Sequence, residues 1–333
     1  MTIHLAIPGK DGDKYVPMSE RTGDVSVVYF TRDLSAEGLR KAAAKVLGPI
    51  TGKQAIKLHT GEKDDPNIIP RPWVAELVKE DLPEATIIET NTYYAGDRDS
   101  TEKSLDTVRH NGWTFCPVDI TDADGYALLP VEGGKWFDQM AVGKTLPTYD
   151  SMLTLTHFKG HTMGGFGGSN KNIGIGCASA KEGKKWIHAK PNGGAQWSVI
   201  NEELMEKMVE STKSVIDFFG ENVTYVNVMR NMSVSCDCEG LAAAPVVTPN
   251  VGILASTDIV AIDTACVDIV FAMKEEEHAD LVERITTRHG LRQLSYMHEI
   301  GMGNTRYVLI DLDNDEAEIT PADAVVDLKP FEG

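Results

Sequence analysis

Hydrophobic positions along this chain switch repeatedly between two periods. Short apolar, β-branched runs at residues 25–31, 54–58, 86–89, 152–156, 224–229, 252–255 and 306–312 predict strands. Between them the spacing lengthens to that of helices. Leu39, Ala42, Ala43, Val46 and Leu47 share one face of a predicted helix over 35–47. A helix over 72–80 opens on proline, and one over 99–110 takes Asp99 as its N-cap, with Glu102 three residues on and Gly112 as its stop. Leu204, Met208, Val215 and Phe219 define a helix over 201–219 that Gly220 ends. A further helix over 258–273 is expected to be capped by Ser256 or Thr257. Strands alternating with helices predict an α/β protein whose mostly parallel sheet is covered by helices on both faces.

At 333 residues the chain suits one large α/β domain or two α/β lobes around one cleft. The expected boundaries are an N-terminal arm over 1–23, a first lobe over 24–150, a second over 151–312, and an acidic tail over 313–333. The net charge of −18 argues against nucleic acid and anionic membrane surfaces as partners. No apolar run reaches transmembrane length, and the N-terminus lacks the basic and apolar regions of a secretory signal. Five cysteines, an odd number without disulfide-framework spacing, suit a reducing cytoplasm.

Candidate chemistry gathers where predicted strands end. In open α/β sheets ligands bind beyond the carboxyl ends of the strands, and His59, Asn91 and His157 fall at or just past such ends. The segment 157–177 places His157, Lys159, His161, Lys171 and Cys177 among closely spaced glycines. Such a run can turn several backbone N–H groups toward one anion, here those around Gly164, Gly165, Gly167 and Gly168, with Lys171 adding charge. It matches neither a Walker A loop nor a dinucleotide fingerprint. A second polar loop, 90–98, precedes a helix start, where Asn91 and Arg98 would favour a carboxylate or phosphate. Cys236-Asp237-Cys238 is the third candidate. Two cysteines two apart project the same way on an extended strand and can share a soft metal ion, with Cys177 as a third thiol and His161 or His188 as nitrogen donors. Two buried, inert thiols are the plainer alternative.

Together these segments resemble a known family. Lys159-Gly160-His161, Gly164-Gly165-Phe166-Gly167-Gly168, Lys171-Asn172-Ile173-Gly174, Tyr93-Tyr94-Ala95-Gly96-Asp97-Arg98, Cys236-Asp237-Cys238 and the run over 251–263 are similar, in order, to the domain of unknown function 362 family. The closing run over 296–303 also fits. The resemblance spans roughly residues 25–312. Members are often described as uncharacterised iron-sulfur centre proteins, so the resemblance implies a fold and a candidate site but no substrate. Many carry a ferredoxin insert of paired four-cysteine motifs after the position of His188, which this chain lacks. The five residues from Gly167 to Lys171 are also similar to a loop of the nickel-dependent lactate racemase family, too short a stretch to transfer an activity.

The expectation is therefore an enzyme with one bound metal, zinc or iron, acting on a small anionic molecule; a four-iron cluster does not suit these cysteines. Cys236, Cys238, Cys177 and His188 would hold the metal. Asn91, Arg98, the four loop glycines and Lys171 would hold the anion, while His161, His59 and Lys159 do the chemistry. Any redox step would need an external redox partner. The alternative is a non-catalytic metal- or anion-binding protein, such as an assembly factor.

Overall fold

The structure, a computed structural model, describes residues 13–191 and 194–331. Seven strands form the framework in chain order: β1 (Val25–Thr31), β2 (Gln54–Lys57), β3 (Thr86–Glu89), β4 (Val118–Ile120), a hairpin of β5 (Tyr126–Pro130) and β6 (Gln139–Gly143), and β7 (Ser151–His157). A second hairpin, β8 (Lys159–His161) and β9 (Gly165–Gly167), follows at once. The later strands are β10 (Val223–Met229), β11 (Gly252–Ser256), β12 (Arg306–Asp311) and β13 (Ala317–Ile319). Nine of them make one sheet in the order β13-β12-β1-β11-β10-β7-β2-β3-β4. Strands from before and after residue 150 thus stand side by side in it.

The sheet is mostly parallel: only β11 and β13 pair antiparallel with their neighbours. The remaining strands point one way, so Lys57, Glu89, His157 and Met229 finish on one edge. Helices cover both faces, which is why the strands are apolar throughout rather than alternating. Ala55, Ile88, Met152, Tyr225 and Leu254 pack on one face beneath helices Asn201–Phe219 and Ile259–Ala272. Ile56, Ile87, Leu153, Val226 and Ile253 pack on the other, beneath helices Ala36–Ala44 and Arg71–Asp81.

Local signals place most of these elements as expected. Helix Asn201–Phe219 ends at Gly220, whose φ is +57°. The caps differ in two places. Ser100, not Asp99, caps helix Thr101–His110, because Ser100 has the extended backbone that lets its hydroxyl accept from the Lys103 N–H. Asp258, rather than Ser256 or Thr257, caps helix Ile259–Ala272 through the N–H groups of Val260 and Ala261. The segment expected to be an acidic tail contributes β13 and a short helix, Pro321–Ala324. Most of the expected N-terminal arm, residues 1–12, lies outside the described residues. Among the described residues, no helix is long and apolar enough to cross a membrane.

Candidate functional site

The carboxyl ends of β2, β3 and β7 open into a cavity of about 430 Å³. Its floor begins with β2. The strand's period of two turns Lys57 toward the helix Ser169–Gly176 side, and Lys57 is 1% exposed. Its ammonium pairs with Glu89, from the end of β3, at 2.8 Å. Glu89 also accepts from the Thr60 N–H at 2.8 Å and from Arg98 at 3.0 Å. Burial alone would raise the Glu89 pKa; the Lys57 and Arg98 charges outweigh it and hold the carboxyl well below its ordinary range. Arg98 reaches on to Glu62 at 3.2 Å, and Tyr94 donates to the same oxygen. His59 stands against Arg98 and Glu89, with its Nε2 buried and unpartnered. Burial, followed by the Arg98 charge, lowers its pKa.

A second network lies past β7. Asp237 accepts from Lys159 at 2.7 Å and faces the His157 Nδ1 at 3.0 Å. The other ring nitrogen of His157 bonds the Arg230 carbonyl at 2.6 Å. Burial works against the Asp237 carboxylate, but His157 and Lys159 overcome it and depress its pKa strongly. Lys159, expected among the catalytic residues, thus has its charge paired with Asp237 within the protein.

Cys236 and Cys238 do not lie on a strand. Cys236 is the N-cap of a short 3-10 turn, Asp237–Ala242, and its sulfur accepts the Cys238 N–H at 3.4 Å. The turn nonetheless keeps the two cysteines side by side. The Lys171 ammonium stands 3.3 Å from the Cys236 sulfur, and the His161 ring lies close enough to act on it electrostatically. The neighbouring Cys238, joined by Lys171 and His161, outweighs burial and holds the Cys236 pKa well below the ordinary thiol range, while Cys236 and burial push that of Cys238 up. His161 Nδ1 accepts from the Gly164 N–H at 2.7 Å. The ring's proton therefore sits on Nε2, the nitrogen left to face the thiolate. Burial lowers the His161 pKa and favours this neutral form.

The far wall is aromatic and basic. Tyr93, His188 and Trp197 pack edge to face, with His188 and Trp197 ring centres 4.9 Å apart. Lys184, on helix Gly183–His188, is 6% exposed and donates to the Thr90 hydroxyl at 2.6 Å and to the Asn91 carbonyl. Burial lowers its pKa to about 8, helped by the Arg98 and Lys57 charges and opposed by Asp122 and Glu89. Burial also drops His188 to about 4.

The glycine-rich segment departs from expectation. It forms the β8–β9 hairpin, turning at Gly165 with φ +79°, and then helix Ser169–Gly176. The first amides of that helix already hold an anion: Asp263 accepts from Ser169 N–H at 2.8 Å and Asn170 N–H at 2.9 Å. A Cβ at Gly168 would come within 2.4 Å of that carboxylate, so glycine is needed for the approach. Of the four glycines expected to hold an anion, only Gly168 lines the cavity. Gly164 donates to His161 instead. Asn91 is also diverted: its carboxamide bonds Asp122 at 3.0 Å and Ser104 at 2.8 Å. Lys171, Arg98, His59, His161, Lys159, His188 and Cys238 do line the cavity.

The expected metal set does not assemble. Cys177 is buried against β6 and faces Lys57 and Lys184, its thiol pushed by burial to about 12. His188 faces Lys184, His161 and Lys171 rather than the thiols. A four-iron cluster takes four thiolates; here two come together, and Cys116 and Cys266 belong to the two core layers. The Lys171 ammonium already stands 3.3 Å from the Cys236 sulfur. Among the described residues no group of three or more His, Cys, Asp or Glu side chains is arranged to hold a metal ion. The donors present do not fit an iron-sulfur centre.

Sequence reading passed over Lys184 and Glu89, and it gave no role to Lys57, Asp237 or Asp263. Asp263 carried a signal, as one of two carboxylates, with Asp268, in an otherwise largely apolar helix, where each requires a buried partner.

An α/β sheet with a cation-rich cavity at its strand ends defines the class of this protein. The chain belongs to the DUF362 family, a domain of unknown function, whose model matches residues 55–268. No curated protein matches it. Among solved structures it is similar to the lactate racemase apoprotein from Thermoanaerobacterium thermosaccharolyticum, at 13% identity and a TM-score of 0.39, over 77% of this chain and 59% of that one. A protein from Thermotoga maritima is similar at 13% identity and a TM-score of 0.36, over 58% of this chain and 50% of that one. The chain thus spans little more than half the length of either.

Proposed function

We propose that the protein is an enzyme that binds a small organic anion, a carboxylate or a phosphate, in the strand-end cavity and moves a proton on it. One observation supports this reading above the others. Lys184 brings a buried ammonium to the cavity, and among the described residues it pairs with no carboxylate, whereas the half-buried Lys171 beside the cavity is spoken for by the Cys236 sulfur. Every other buried cation there does: Lys57 and Arg98 with Glu89, Lys159 with Asp237. A buried ammonium held only by neutral oxygens is costly, and an anionic ligand would offset that cost. The chain's net charge of −18 makes such a pocket stand out against its surface.

Lys184 suits both tasks. It carries a proton at neutral pH but yields it readily, because burial has brought its pKa to about 8. His161 lines the same cavity. No metal enters this reading, since the donors do not assemble one.

Calorimetric titration with inorganic phosphate and a panel of small carboxylates tests it. Lys184→Met should weaken the anions that bind by ~10–100-fold, the value of a charge-assisted hydrogen bond. Proton transfer should appear in D2O as deuterium uptake at the carbon beside the carboxylate, and disappear in the same variant. Neutral amides binding as well as their parent acids would overturn the proposal.

A further inference from the structure

The mechanism above leaves the two sulfurs unused. We propose that Cys236 and Cys238 are a redox-active dithiol that exchanges with a small anionic disulfide entering the cavity. The anionic part of the substrate rests on the reading of Lys184 given above; the dithiol does not.

Placement supports it. Cys238 lines the cavity, and Cys236 lies directly behind it, fully buried. The 3-10 turn puts the Cys238 N–H on the Cys236 sulfur at 3.4 Å, so one tight turn holds both residues. Lys171 at 3.3 Å supplies positive charge and a donor at the same sulfur. A thiolate next to a thiol in a partly exposed, electropositive pocket is the environment of a reactive rather than a structural cysteine. The remaining thiols lack it: Cys177 and Cys266 are buried, and Cys116 packs in the layer beneath helices Ala36–Ala44 and Arg71–Asp81.

The exchange balances as follows. Cys238 passes its proton to the Cys236 thiolate, and the Cys238 thiolate attacks one sulfur of R–S–S–R. The substrate S–S bond breaks, Cys238 forms a mixed disulfide with one half, and the other half leaves as a thiolate. That thiolate takes the proton from Cys236. The regenerated Cys236 thiolate then attacks the Cys238 sulfur, breaking the mixed disulfide and expelling the second half as a thiolate. Two protein thiols are oxidised to one disulfide, and one substrate disulfide is reduced to two thiols. Lys171 and Lys184 would neutralise both the carboxylates of the substrate and the departing thiolates.

Three disulfides of similar length test this on the full chain: 3,3′-dithiodipropionate with two carboxylates, 2-hydroxyethyl disulfide with none, and cystamine with two ammonium groups. Intact mass should show loss of two hydrogens, and peptide mapping should place the new bond between Cys236 and Cys238. Dithiodipropionate should react roughly tenfold or more faster than cystamine, the scale of electrostatic steering. Lys184→Met should bring the two rates together. In Cys236→Ser the reaction should stop at a mixed disulfide on Cys238. Equal rates for all three probes would keep the dithiol and overturn the anionic substrate. Failure of any probe to link Cys236 to Cys238 in the unmodified chain would overturn the dithiol. So would one zinc ion bound per chain that shields both thiols from dithiodipropionate.

Discussion

Glu89→Ala is expected to destabilise the protein by ~3–5 kcal/mol, the usual cost of removing one partner from a buried ion network. Glu89 is 3% exposed and is the carboxylate on which Lys57 and Arg98 converge, with the Thr60 N–H as a third donor. Lys57 has no second carboxylate, so its charge would be left buried on the Leu58 carbonyl alone. Arg98 would keep Glu62 and lose less. Glu89→Gln preserves the shape and one acceptor, and should cost less than the alanine change. The pH dependence has a defined sign. The folded chain holds Glu89 well below its ordinary value of 4.5, so its contribution is fully present above about pH 4.5 and is lost as pH falls toward the folded value. Urea unfolding at pH 7 and at pH 3.5 measures both effects. The gap between parent and Glu89→Gln should narrow in acid, and an equal gap at both pH values would remove the ion network as its cause.

How far the sequence foretold the site depended on whether the signal was local. Strands 25–31 and 86–89 and helix 201–219 have the expected bounds, because period, β-branching and a terminal glycine act over a few residues. The chemistry of the strand ends was legible for the same reason: His59, Arg98, Lys159, His161, Lys171 and Cys238 share one cavity. Roles were not legible, since they depend on what packs opposite. Lys159 and Lys171 look alike in the sequence, yet one meets Asp237 and the other a thiolate. Lys184 sits in the run Lys181-Glu182-Gly183-Lys184-Lys185, which reads as a solvated turn. Its burial comes from packing onto Thr90 and Asn91, some ninety residues earlier. The glycine-rich segment misled for a related reason. Glycines that free backbone N–H groups for a ligand cannot be told, by spacing alone, from glycines that admit a carboxylate of the same chain.

That carboxylate belongs to Asp263, and Asp263→Ala is expected to cost ~3–5 kcal/mol. Helix Ser169–Gly176 begins at Gly168, which has no side chain to cap it. Asp263, fully buried, supplies the cap from another helix and also accepts from the Asn227 carboxamide at 2.8 Å. Its removal strands three buried donors and frees the start of the helix that carries Lys171 to the Cys236 thiolate. Here the pH dependence runs opposite to that of Glu89. Burial raises the Asp263 pKa from 3.8 to about 6, against the pull of its Asn170, Asn227 and Ser169 donors. The fold therefore prefers the protonated acid, and the stability this group contributes is greatest below about pH 4 and declines as pH rises through 6. Subtracting the Asp263→Asn stability profile from that of the parent between pH 4 and 7 isolates the effect, expected to be on the order of 2–3 kcal/mol. Formate should rescue Asp263→Ala by filling the vacated place at the helix start. An Asp263→Ala chain as stable as the parent, and indifferent to formate, would mean that the amides of Ser169 and Asn170 do not depend on this carboxylate and are open to an outside anion after all.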